Sequence, residues 1–143
     1  INVGQDNGAR LGQAVMSEFG LVGVIVEVAS SFSRVLQITD INSQIPVVTE
    51  NTRDPAIMAG DNTSLLKLKF MPSDSLVAVG DRIVTSGHGG LLPPDIPIGY
   101  IAEVDGPRVI VSSLVDWGRL DYIRILDYRF ADDLSQYLNN QSD

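Results

Sequence analysis

The chain has 143 residues, 44% of them hydrophobic and 6% aromatic, enough for one ordinary domain or two very small ones. Its formal net charge is −8, from 10 Lys+Arg against 18 Asp+Glu. The cations are scattered, which argues against binding a phosphate backbone, since that needs clustered Lys/Arg. Without cysteine, neither a disulfide framework nor a thiolate zinc site can form.

No run of apolar residues is long enough to cross a membrane as a helix, and no charged segment precedes an apolar one in the manner of a signal peptide. The chain begins at Ile1 rather than Met and is expected to be an excised fragment, with any signal or membrane anchor outside it.

Period two dominates from the start. Ile1–Val3 reads as the end of a strand, followed by a turn through Gly4, Asn7 and Gly8. Gln13–Met16 is a short strand running to a turn at Gly20. Leu21–Val28 alternates, with Val22, Val24, Val26 and Val28 on one face and Gly23, Ile25 and Glu27 on the other. Four β-branched residues on one face suit a pleated strand and crowd a helix.

Strands are expected next at Arg34–Thr39 and Ile45–Thr49, with the Asp40, Asn42 and Ser43 turn between them. Pro46 favours an edge position for the second. After the Arg53-Asp54-Pro55 turn comes the short segment Ala56–Ala59. Ser64–Phe70 then alternates, with Leu66, Leu68 and Phe70 inward and Lys67 and Lys69 outward.

Gly80–Gly99, GDRIVTSGHGGLLPPDIPIG, organises the chain. A strand at Arg82–Thr85 enters three glycines within Ser86–Gly90, then an apolar, proline-stiffened run from Leu91 to Pro97. Glycine reaches positive φ freely, whereas proline fixes φ and removes a donor, so this connection is stiff and shaped. Gly99–Val104 and Arg108–Ser112 flank a hairpin turn at Asp105-Gly106-Pro107, and Tyr122–Leu126 is the last strand. Beyond Ala131 the chain is polar, with one helical turn available through Leu134, Tyr137 and Leu138.

The order repeats. Gly12-Gln-Ala-Val-Met answers Gly80-Asp-Arg-Ile-Val, Gly23-Val-Ile-Val-Glu-Val answers Gly99-Tyr-Ile-Ala-Glu-Val, and Arg34-Val35 answers Arg108-Val109. The pattern predicts two small antiparallel barrels, with Ser86–Pro97 an enlarged version of the Ser17–Gly20 turn.

Catalytic signals are weak. His88 is the only histidine, and a base beside Ser86 or Ser112 would need a third orienting group and an oxyanion hole, for which no Gly-Asp-Ser-Gly-like stretch exists. Asp40-Ile-Asn-Ser lacks the spacing and terminal glutamate of a calcium loop, and no GK[ST] follows Gly87, Gly89 and Gly90. Leu91, Leu92, Ile96 and Ile98 remain as apolar residues that no strand explains. They either plug the barrel or the seam between the units, or form an exposed partner-binding patch.

Four ordered blocks carry a resemblance: Gly12–Val28, Ser33–Val47, Val79–Gly99 and Arg119–Leu126. With TD-x-x-S-x-I-P-V and TSG-x-GG-x-x-P-P-x-I-P-x-G, the chain resembles the rod-shape-determining protein MreC family. It departs at Leu92, where the family usually has phenylalanine, and at Asp95, where it usually has glycine. Asp tolerates a left-handed backbone better than most residues.

The resemblance implies an all-β part made of two small, mainly antiparallel six-stranded-type barrels packed together, at 1–62 and 63–130, one of them open to being inserted in the other, before a polar tail at 131–143. It implies a non-enzymatic scaffold without cofactor or metal, on the periplasmic side of the bacterial inner membrane. Its membrane anchor would lie N-terminal to this fragment. The implied partners are the elongation penicillin-binding transpeptidase, MreD, MreB and further copies of itself, as filament or dimer. A periplasmic adaptor of a transport complex and a trypsin-like hydrolase are the competing readings.

Overall fold

A computed structural model describes residues 1–90, 92–120 and 123–126. The tail at 131–143, and the helical turn expected within it, lie outside these residues. Ten strands follow one another: β1 (Ala14–Met16), β2 (Leu21–Val28), β3 (Ser33–Gln37), β4 (Gln44–Thr49), β5 (Pro55–Ala59), β6 (Leu65–Lys69), β7 (Arg82–Thr85), β8 (Pro97–Asp105), β9 (Arg108–Ser113) and β10 (Arg124–Ile125). Six of them close an antiparallel barrel in the order β4-β5-β6-β9-β8-β7. The other four form a sheet in the order β10-β1-β2-β3.

The repeat is present residue for residue. Ala14, Val15 and Met16 pair with Val24, Gly23 and Leu21, as Arg82, Ile83 and Val84 pair with Tyr100, Gly99 and Pro97. Gly23, Ile25 and Glu27 face Gln37, Val35 and Arg34, as Gly99, Ile101 and Glu103 face Ser113, Val111 and Ile110. Each middle strand carries the same two bulges, which leave Val22 and Val26, or Ile98 and Ala102, as the extra residue.

Connecting hydrogen bonds repeat too. Gly12 N–H donates to the Ile25 carbonyl at 2.8 Å, and Gly80 N–H to that of Ile101 at 2.7 Å. Ile38 N–H donates to Val22 and Leu114 N–H to Ile98, both at 2.9 Å. Equivalent residues are offset by 68 positions before the β7–β8 loop and by 76 after it. That loop is therefore the β1–β2 turn enlarged by eight residues.

Several expectations change. The all-β, antiparallel, two-unit architecture is as expected, but among the described residues only one unit closes: β10-β1-β2-β3 corresponds to β4-β7-β8-β9 and lacks a counterpart of β5 or β6. The division expected between residues 62 and 63 falls between β5 and β6, which are hydrogen-bonded neighbours. The sheets divide instead between β3 and β4, with the barrel strands lying in sequence between β3 and β10.

Pro46 is not on an edge. Its strand pairs with β5 and β7, but pairing to β7 starts only at Val47, so its missing N–H interrupts no ladder on that side. The four valines of β2 do not share a face either. Val22 and Ile25 enter one core cluster, Val24 packs on the other and Val26 is exposed, because each bulge reverses the alternation. Arg34 is equivalent to Ile110 rather than Arg108, although Arg34–Glu27 and Arg108–Glu103 both form exposed ion pairs, at 3.1 and 3.3 Å.

An open sheet has two faces to cover. Ala14, Met16, Leu21 and Ile38 join the barrel interior in one continuous core. The opposite face buries Val15, Val22 and Ile25 under Ala9 and Val115. Trp117, in the β9–β10 connection, packs against both.

The bulged register brings backbone against backbone at the equivalent glycines. A Cβ on Gly99 would sit 2.1 Å from the Ser112 carbonyl oxygen, and one on Gly23 2.3 Å from that of Leu36. Gly99→Ala is therefore expected to destabilise the chain by about 1–3 kcal/mol or more through overpacking that β9 cannot relieve. Gly106→Ala, with φ +58 but open space, carries only the left-handed penalty of about 1 kcal/mol. Denaturant melts of the two variants should separate in that order.

Candidate docking surface

Thr85 fixes the β7–β8 loop. Its hydroxyl donates to the Pro93 carbonyl at 2.7 Å and accepts Ile96 N–H at 2.9 Å. Its backbone N–H donates to Ile96 at 3.0 Å, and its carbonyl accepts Asp95 N–H at 2.8 Å. Asp95 sits at φ +65, so the left-handed turn that suits glycine persists with aspartate. Its carboxylate meets Arg53 at 2.9 Å, and Arg53 is itself left-handed at φ +59. Ser86 N–H donates to Pro46 at 3.1 Å, tying the loop to β4.

This folding sorts the four apolar residues of the loop. Ile96 and Ile98 are buried core members that present no surface. Leu92 is also buried, at 9% exposure, but it lines a groove at the seam. Leu91 lies outside the described residues. The loop thus plugs the seam, and an exposed patch made of all four is not what it forms.

The surface that does form combines Gly87, His88 and Leu92 of this stretch with residues far from it in sequence. At the seam, a groove of about 280 Å³ is walled by Val24, Val26 and Leu36 of the sheet and by Ile45, Pro46 and His88 of the barrel side. A second, of about 470 Å³, continues from Pro46, Gly87 and His88 to Pro55, Ile57 and Phe70. A third, of about 630 Å³, lies beyond Phe70 and is walled by Lys69, Met71, Val77, Val104 and Pro107. No short motif marks these walls. Val26, read from the alternation as sharing a face with Val22, Val24 and Val28, and Phe70, read as inward, gave no sign of it.

Phe70 does not continue the inward face of its strand. β6 ends at Lys69, Phe70 turns to φ +62, and the ring is 82% exposed.

His88 does not assemble with a nucleophile. The Ser86 hydroxyl accepts the backbone N–H of His88 at 3.0 Å, and Ser112 lies on β9 opposite Tyr100 and Leu65. Among the described residues no three His, Asp or Glu side chains converge as metal ligands. Asp61 has its carboxyl held below the usual range by the Thr63 side-chain and backbone donors it accepts at the β5–β6 turn, and it lines none of the three grooves.

An antiparallel barrel joined through one core to an open sheet, with a mainly apolar groove at the join, defines the class: a two-unit β-barrel module. Residues 1–127 match the family model for the rod shape-determining protein MreC, barrel core. The chain is 41% identical over 126 residues to the cell shape-determining protein MreC of Cereibacter sphaeroides, covering 88% of this chain and 42% of that protein. It is 38% identical over 128 residues to that of Caulobacter vibrioides, covering 90% and 37%. The chain belongs to the MreC family.

The crystal structure of MreC from Pseudomonas aeruginosa superposes with a TM-score of 0.82 at 30% identity, covering 89% of this chain and 86% of that one. A major periplasmic domain from the cell shape-determining filament MreC superposes at 0.75 with 26% identity, covering 87% and 83%. MreC in a complex with penicillin-binding protein PBP2 from Helicobacter pylori shares the fold alone, at 0.62 and 14% identity over 78% and 74%. The family consists of shape-determining structural proteins, not enzymes. This chain spans about two fifths of the length of the curated relatives it matches.

Thr85→Val removes the hydroxyl from both loop bonds and leaves the buried Ile96 N–H without its side-chain acceptor. A loss of about 1–3 kcal/mol is expected, the usual cost of stranding a buried polar group. Chemical denaturation beside the wild type checks it.

Proposed function

We propose that this chain is the core of a non-enzymatic, periplasmic scaffold of the bacterial cell-elongation machinery. It binds the elongation penicillin-binding transpeptidase and further copies of itself, and the whole protein is anchored in the inner membrane beside MreD and linked to MreB. Family membership supports the shape-determining role. The distant relative solved with PBP2 supports a penicillin-binding partner, and the periplasmic domain of another relative supports the compartment.

The observation that carries the binding role is the seam groove. Its walls come from both units and are mainly apolar, and Leu92, a described member of the expected patch, lies in it. A groove built on two rigid sheets loses little conformational entropy when a partner side chain enters. Docking would then shift the transpeptidase toward its active arrangement by binding that arrangement more tightly.

The test is a binding isotherm between this chain and the periplasmic part of the cognate transpeptidase, beside Val26→Asp. Val26 is 36% exposed at a bulge and lines the groove, so a charge there leaves the core intact. Saturable binding weakened about tenfold or more by Val26→Asp is expected, equal to the loss of one well-packed contact. Binding indifferent to the charge would remove the seam from the interface. No binding at all would defeat the scaffold reading for this part, and unchanged transpeptidase activity at saturation would defeat the activating step.

A further inference from the structure

Beyond the seam, the barrel carries a feature that folding does not account for. Phe70 is held at φ +62, a backbone region in which a bulky side chain is a genuine outlier and strain is stored. The ring is 82% exposed, so no buried contact offsets that strain. It stands as a ridge between the second and third grooves and lines both. Leu76, at 85% exposure, and Val79, at 65%, follow in the β6–β7 connection, and Val104 of β8 is 40% exposed beside the third groove. Scattered single apolar residues are ordinary on a surface, whereas Phe70 stands between a mainly apolar groove and one of mixed polarity that Lys69, Ser73 and Ser75 help to wall.

Charge states what the occupant is. The chain has 18 Asp+Glu against 10 Lys+Arg, yet no carboxylate is among the described residues lining any of the three grooves. The ionisable side chains there are His88 and Lys69. Lys67, two residues before Lys69 on β6, reaches Asp61 at 4.0 Å, while Lys69 forms no ion pair with any described residue. The Asp54 carboxylate, which accepts the Ser75 hydroxyl at 3.0 Å, stands behind the wall of the third groove, and Lys69 is the cation at its rim.

We infer that the face around Phe70 is a docking site for an apolar segment of a protein partner that carries a carboxylate, with the Phe70 ring inserted into that partner and Lys69 paired to the carboxylate. The inference rests on the scaffold reading above and adds a second contact region to it. The partner takes up the Phe70 ring and its carboxylate replaces the water around Lys69, so the contact is both buried and charge-matched.

The test uses the whole chain and the periplasmic part of the cognate transpeptidase as titrant. Phe70→Asn places a residue that accepts a left-handed backbone at that position. The melting temperature should stay level or rise, while binding weakens about 30-fold, the scale of a lost aromatic hot spot. Lys69→Glu, at an exposed strand position, should weaken binding and flatten its salt dependence, and Lys69→Arg should preserve both. Unchanged affinity in both Phe70→Asn and Lys69→Glu overturns the inference while leaving the seam groove in place. Loss of self-association in Phe70→Asn, seen by sedimentation with transpeptidase affinity unchanged, overturns it in favour of a second copy of the chain. Failure of the wild type to bind takes down the scaffold reading and this inference together.

Discussion

Everything in this molecule depends on an open sheet being covered on both sides. Four strands cannot close on themselves, so β10-β1-β2-β3 must borrow a core from each neighbour. One face of the sheet shares its buried side chains with the barrel through Ala14, Met16, Leu21 and Ile38. The other relies on the segments around Ala9 and Val115. The barrel, by contrast, satisfies every edge itself. The two units are therefore unequal: the barrel is self-sufficient, and the sheet is stable only as long as the seam is.

That asymmetry explains where the repeated units diverge. Their middle strands keep the same bulges and the same glycine, because Gly23 and Gly99 each press backbone onto the next strand. Their first loops differ by eight residues. The short turn at Ser17–Gly20 abuts β8, where a Cβ on Gly20 would lie 3.1 Å from the Pro97 carbonyl and 3.3 Å from Leu114. A longer loop there would collide with the barrel. The long loop of the second unit instead sends Leu92 and Ile96 into the core that both units share. The difference in length is thus a consequence of the seam, and the apolar character of Leu92, Ile96 and Ile98 belongs to packing before it belongs to recognition.

This is also what the sequence could and could not reveal. Period two gave β2 its observed bounds, and the repeat was legible because bulged glycine-started strands leave a recurrent glycine and glutamate. The faces of β2 were not legible, since a bulge changes the phase of alternation without changing composition. Arg34 and Arg108 looked equivalent because each precedes a valine a few residues after its glycine-started strand, although their registers differ by two residues. The described loop leucine and isoleucines could be read as plug or patch, because their exposure is decided by residues far away in sequence, such as Leu21 and Ile38. The grooves were beyond reach for the same reason: Val26, Leu36, Pro46 and His88 are neighbours only once the seam exists.

Strain completes the picture. Among the described residues four non-glycines sit at positive φ: Arg53, Asn62, Phe70 and Asp95. Three have an evident return. Arg53 and Asp95 face each other in an ion pair across two loops, and Asn62 accepts Ile41 N–H through its side chain at 2.9 Å while its own N–H donates to Thr39. Each of those turns ties segments together near the loop that holds the seam or between β3 and β6. Phe70 alone gains no such bond, and its ring meets water instead of a core. A residue that costs stability and returns none within the fold has its return outside it, which is why the ridge between the grooves, rather than the proline-stiffened loop, is where a partner's grip on this barrel is to be sought.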